Sequence, residues 1–181
     1  MMKKGWMEEN RRTLQIVSIL LQYPDDALGS PLREIERSVS TLDDAVLREK
    51  IELFLRFARG APLLDLQEAY TAAFDLDPKA GLYMTYPLFE KEVERSQALV
   101  GLCRFYRSEG YEPYPGELPD FLPLILEFLS VCSPPAFDSL VGLCRTPVEA
   151  LTAHLKEIEH PYAGLLEIVS KLFNEPSDGG S

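Results

Sequence analysis

The chain has 181 residues, 46% hydrophobic and 26% charged, the balance of a soluble globular protein long enough for one domain with a sizeable core. Acidic residues outnumber basic ones 29 to 18, a net charge of −11; such a surface repels phosphate backbones and argues against nucleic-acid binding without a local basic patch. Three cysteines without CxxC spacing, Cys103, Cys132 and Cys144, argue against a disulfide framework or a structural zinc site, and no apolar run is long enough to span a bilayer.

The N-terminal "MMKKGWMEENRRTLQ" turns polar where the apolar region of a secretory signal would begin, so a cytoplasmic chain is expected. Helical spacing then dominates. "RRTLQIVSILLQY" puts Leu14, Val17, Leu20 and Leu21 on one face and ends at Pro24. In "SPLREIERSV", Ser30 is placed to cap a helix and Pro31 to occupy its first position. The next segment predicts a helix opened by Thr41 and Asp44, striped by Leu47, Ile51, Phe54 and Leu55, and closed at Gly60.

"LLDLQEAYTAAF" continues helical with Leu66, Tyr70 and Phe74 four apart, and "DLDPKAG" breaks it. After an extended "LYMTYPL", residues 89–110 predict the longest helix, with Val93, Gln97, Val100 and Arg104 on one side and Leu99, Cys103 and Tyr106 on the other. "YEPYPGELP" is a proline-rich connection to an apolar helix that "SPP" closes. "TPVEALTAHLKEIEH" carries Thr146, Pro147 and Glu149 as a capping box, "PYAGLLEIVSKLF" follows, and the tail from residue 176 is expected to be disordered. No strand pattern of useful length appears. The expected fold is all-α, a single-domain bundle of about eight to nine helices over residues 1–175.

Catalytic signatures are missing: no GxGxxG, Walker A or GxSxG string occurs. His154 and His160 stand six apart, roughly 600° of helical rotation, so they cannot form a metal-binding pair and read as helix-end or surface residues. The acids of "ELPDFLPLILEFLS" admit two readings. Asp120 caps the following helix, with Glu117 beside it at the positive end of the helix dipole; or Glu117, Asp120 and Glu127 serve a metal-assisted hydrolase of the nucleotide type. The hydrolase reading lacks a phosphate-cradling loop and a histidine.

Three segments together resemble a family. Tyr70 and Phe74 precede Asp75, and L-Y-x-T-Y follows at residues 82–86, with Tyr83 and Tyr86. Arg95 then stands ahead of an A-L-x-x-L helix containing Tyr106, and E-L-P-D-x-L-P-L-x-L-E-F begins at Glu117. The pattern resembles the NarJ-type molybdenum-enzyme assembly chaperones of the wider TorD/DmsD group. Ser96 departs from it where glycine is common, and Pro87 where histidine often stands.

The resemblance implies a helical cytoplasmic chaperone with no reaction of its own; no metal or cofactor is expected, and the chain is expected to be a monomer. It implies binding of the N-terminal segment of a molybdopterin-dependent reductase's catalytic subunit until cofactor insertion, with export delayed where that segment is a twin-arginine leader. The implied client-binding residues are Tyr70, Phe74, Asp75, Tyr83, Tyr86, Arg95, Glu117 and Asp120, with Pro115, Gly116 and Pro119 as a hinge. Glu117 and Asp120 are expected on a polar rim, and Phe121, Leu122, Leu126 and Leu129 in the core. A permanent helical scaffold subunit of a reductase complex is the remaining alternative.

Overall fold

A computed structural model describes residues 2–27, 29–76 and 80–175, and the side chains from residue 7 onward apart from those of residues 29 and 30. Among the described residues eight α-helices follow one another: α1 (Met2–Leu20), α2 (Gly29–Val39), α3 (Ala45–Gly60), α4 (Leu63–Phe74), α5 (Glu92–Ser108), α6 (Leu122–Val131), α7 (Pro134–Glu157) and α8 (Ala163–Asn174). The described residues contain no strand, and an isolated antiparallel bridge joins Tyr83 to Phe121. The side chain of Ser30 and the tail 176–181 lie outside the described residues.

Helix α6 is apolar almost all round, and all but its Glu127, Ser130 and Val131 are buried, so it takes the centre of the bundle. Helix α1 lies along it, with Leu14, Val17 and Leu21 fully enclosed. Burying each such side chain stabilises the fold by about 1.5–3 kcal/mol. Two polar contacts fix the register of this pair. Ser18 donates to the carbonyl of Pro123 (2.8 Å), and Arg11 reaches the carbonyl of Cys132 at the far end of α6 (2.7 Å). On the other side α7 and α8 form a helical hairpin, α3 packs on α8, and α2 on α3.

Several boundaries differ from the sequence expectation. The cap of α3 is Asp44, whose carboxylate accepts from the backbone N–H of Val46 and Leu47; Thr41 instead donates to Ser38 at the end of α2. The capping box at Thr146 does not form. Helix α7 begins at Pro134, where a missing N–H costs no bond, and runs through a buried Pro147 to Glu157. Its apolar stripe, Leu140, Val141, Cys144, Val148 and Leu151, is continuous across the proline, and packing against α8 outweighs the one lost backbone bond. Glu149 accepts from Asn174 of α8 instead of capping. Asp120 does not cap α6 either: Phe121 holds the cap position without a side-chain bond. Among the cysteines, Cys132 and Cys144 are buried and Cys103 is half-buried. His154 is exposed, whereas His160 is half-buried and stacks on Tyr162.

Candidate functional site

The C-terminal end of α4 brings Tyr70, Phe74 and Asp75 to the floor and edge of a cleft of about 340 Å³. Four-residue spacing puts the two rings on one helical face, 4.9 Å apart edge-on, and only 5% and 4% exposed. They rest on the buried ring of Tyr162 from the α7–α8 turn. The Tyr70 hydroxyl donates to the carbonyl of Leu21 (3.2 Å); burial, and then the nearby Asp75 charge, push its acidity far out of the physiological range, so it stays a neutral donor. Plain core packing and cleft lining are thus combined here.

The opposite wall comes from two segments that cross at the Tyr83–Phe121 bridge. Met84 donates its N–H to the carbonyl of Asp120 (2.9 Å), and Leu122 donates to that of Leu82 (2.7 Å). The rings of Tyr83 and Phe121 lie 5.3 Å apart along the cleft. The Tyr83 hydroxyl donates to Glu117 Oε1 (3.1 Å), which also accepts from the N–H of Leu118 (2.9 Å). Partial burial and then the Glu117 charge push the Tyr83 hydroxyl up to about 12. Glu117 and Asp75 are both exposed, and among the described residues neither carries an ion-pair partner. The result is an aromatic trough with carboxylates at its edge.

The other three predicted site residues form a second group behind this wall. Asp120 is not on a rim: it is 0% exposed. Its Oδ2 accepts from the backbone N–H (3.1 Å) and the hydroxyl (2.5 Å) of Thr85 and faces Arg95 Nη2 at 3.5 Å. Arg95 Nε donates to the same Thr85 hydroxyl (3.1 Å), and its guanidinium lies 5.4 Å from the centre of the exposed Tyr86 ring. The buried aspartate finds its compensating charge and hydrogen bonds in this group, which accounts for its absence from the cap position.

Of the predicted hinge residues, Pro115 and Gly116 lie in an exposed turn, with Gly116 at φ +103°, a conformation that favours glycine. Pro119 is buried, and Tyr106 donates its hydroxyl to the Pro119 carbonyl (2.7 Å), making it a fixed point. Glu117, Asp120 and Glu127 do not share a site: they face Tyr83, Thr85 with Arg95, and Tyr111 respectively. Among the described residues no group of three or more His, Cys, Asp or Glu side chains is placed to hold a metal, and no helix is long and apolar enough to cross a membrane.

Sequence reasoning missed Tyr23, which leaves the end of α1, stands 51% exposed at the cleft and meets the Tyr70 ring edge-on at 5.3 Å. A tyrosine directly before Pro24, with no helix left to bury it, was the available signal. Phe121, expected in the core, is half-buried and lines the cleft.

A family model described as nitrate reductase delta subunit matches residues 40–167. The chain is 30% identical over 157 residues to a probable nitrate reductase molybdenum cofactor assembly chaperone, NarJ, of Bacillus subtilis, covering 87% of this chain and 85% of that protein. It is 32% identical over 169 residues to the nitrate reductase molybdenum cofactor assembly chaperone NarJ of Escherichia coli, covering 91% of this chain and 71% of that one. It is 33% identical over 158 residues to the nitrate reductase-like protein NarX of Mycobacterium tuberculosis, of which it spans 24%.

Proposed function

Because this chain belongs to the nitrate reductase delta subunit family, we propose that it is an assembly chaperone for a nitrate reductase, holding the N-terminal segment of the catalytic subunit until the molybdenum cofactor is inserted. It acts in the cytoplasm, catalyses no reaction, and leaves the finished enzyme. A client whose segment is a twin-arginine leader is kept from export while bound.

The observation that carries this reading is the trough itself. Tyr70, Phe74, Asp75, Tyr83 and Glu117, five residues from three separate chain segments, line one cleft. A helical peptide lays its apolar face against the aromatic floor, and its basic residues meet Glu117 and Asp75 at the edge. The net charge of −11 draws a basic segment towards the chain and speeds encounter. Tyr86, Arg95 and Asp120 support the wall from behind.

The test is maturation. In cells lacking this chain, the nitrate reductase catalytic subunit is expected to purify without molybdenum by elemental analysis, and the wild-type chain supplied in trans restores it. The restored enzyme contains none of the chaperone. Full molybdenum content without the chain contradicts the proposal, and stoichiometric retention in the mature enzyme favours a permanent scaffold.

A further inference from the structure

The group behind the cleft wall contains a buried acid that is incompletely satisfied. Asp120 is fully enclosed, its Oδ2 is crowded by Thr85 and Arg95, and its Oδ1 has no hydrogen-bond partner. An arrangement that leaves a buried carboxylate oxygen orphaned is costly, and hydrophobic residues would pack the same space without that penalty. What the network does is join three elements. Thr85 belongs to the Tyr83 segment, Asp120 to the Glu117–Phe121 segment, and Arg95 to the first half of α5. Both buried residues of α5, Leu102 and Tyr106, lie in its second half; in its first half Arg95, 13% exposed, is the charged side chain turned inward.

The two segments it joins are the same two that carry Tyr83 and Glu117 to the cleft, and the bridge between them is only two backbone bonds wide. We propose that Arg95, Thr85 and Asp120 are positioning residues that touch no client and set the width of the peptide cleft, with the Thr85 hydroxyl relaying between α5 and the wall. This deepens the peptide-binding reading and rests on it. The hydroxyl is the part that cannot be replaced by shape: it donates to Asp120 while accepting from Arg95, so valine of the same outline loses both bonds and leaves only the Thr85 N–H and the 3.5 Å Arg95 contact on Asp120.

The experiment measures calorimetric binding of a synthetic peptide matching the N-terminal segment of the same organism's nitrate reductase catalytic subunit. Thr85→Val is expected to weaken binding about tenfold, the scale of a severed buried hydrogen bond. Thr85→Ser, which restores the hydroxyl, retains most of the affinity. Amide exchange at Met84 and Leu122 is expected to quicken in Thr85→Val while that at Ile125, inside α6, does not. The penalty of Glu117→Gln is expected to shrink in the Thr85→Val background, because the wall that aims Glu117 has already moved. Arg95→Lys keeps the charge but not the fork that spans Thr85 and Asp120, and gives a milder arm if valine unfolds the chain; it is expected to bind more weakly than wild type. Wild-type affinity in Arg95→Lys or Thr85→Val, or strictly additive penalties, overturns the positioning role while leaving peptide binding intact. A wild-type chain that binds no such peptide removes the peptide-binding reading and this inference with it.

Discussion

Glu117 and Asp120 stand three residues apart in one loop, yet the structure gives them opposite situations. Glu117 is exposed and reaches Tyr83, so Glu117→Gln is expected to leave the urea midpoint nearly unchanged while weakening peptide binding, more at low than at high salt. Phe74, by contrast, has its ring against Tyr70 and Tyr162, and Phe74→Ala is expected to cost about 3–5 kcal/mol in urea unfolding. A cost below about 1 kcal/mol there would mean the floor is not part of the core. The spacing of Tyr70, Phe74 and Asp75 was legible because four residues along a helix is a local rule. The meeting of Tyr83 with Glu117 was not legible from physics alone, since it depends on a bridge between segments 34 residues apart in sequence. Asp120 shows the limit most clearly. An acid before an apolar helix is a good local cap, but a tertiary partner, Arg95, took it elsewhere.

At the scale of elements, the ends at Gly60 and Phe74 were readable, whereas the caps of α3 and α6 and the start of α7 at Pro134 were not. The 3.6-residue apolar stripe is buried in α1, α3 and α4, but not in α5, where Val93 and Val100 are exposed and only Leu102 and Tyr106 are buried. The helix start assigned at Thr146–Pro147 followed correct local chemistry, but buried residues continue on both sides of Pro147, packed against α8 and α6, and α7 runs in a single piece. The α7–α8 turn yields a sharp expectation. Glu159 has φ +52°, the left-handed conformation that glycine adopts freely at helix ends, while the N–H of His160 donates to the carbonyl of Leu155. Glu159→Gly is therefore expected to stabilise the chain by about 1 kcal/mol, read as a rise in the urea midpoint. A fall would show that the turn opens in solution.

For the whole molecule, the charge ties between helices predict an acid-side weakness. Lys50 and Lys156 both pair with Glu167, linking α3, α7 and α8, and Lys171 pairs with the α3 cap Asp44. Partial burial pushes both carboxyls up, but the lysine hydrogen bonds and charges, with the backbone N–H groups at Asp44, outweigh it and hold them below their ordinary 3.8 and 4.5. A carboxyl depressed by folding contributes stability that is present above its unfolded value and lost as pH falls through its folded one. Urea midpoints are therefore expected to drop below about pH 4, and the combined Asp44→Asn and Glu167→Gln variant to show a shallower drop, with a lower plateau near neutrality. An unchanged acid limb would show that these ties do not hold in solution.

On the proposed function, the trough between α4 and the Tyr83–Phe121 bridge receives the N-terminal segment of a nitrate reductase catalytic subunit. Titrating the isotope-labelled chain with that peptide while following backbone resonances tests occupant and site together. Saturable shifts are expected to concentrate at Tyr23, Asp75, Tyr83 and Glu117, with the exposed Leu53 and Leu64 unaffected. Absence of binding, or saturable shifts gathered around Leu53 and Leu64 with the trough silent, would contradict it.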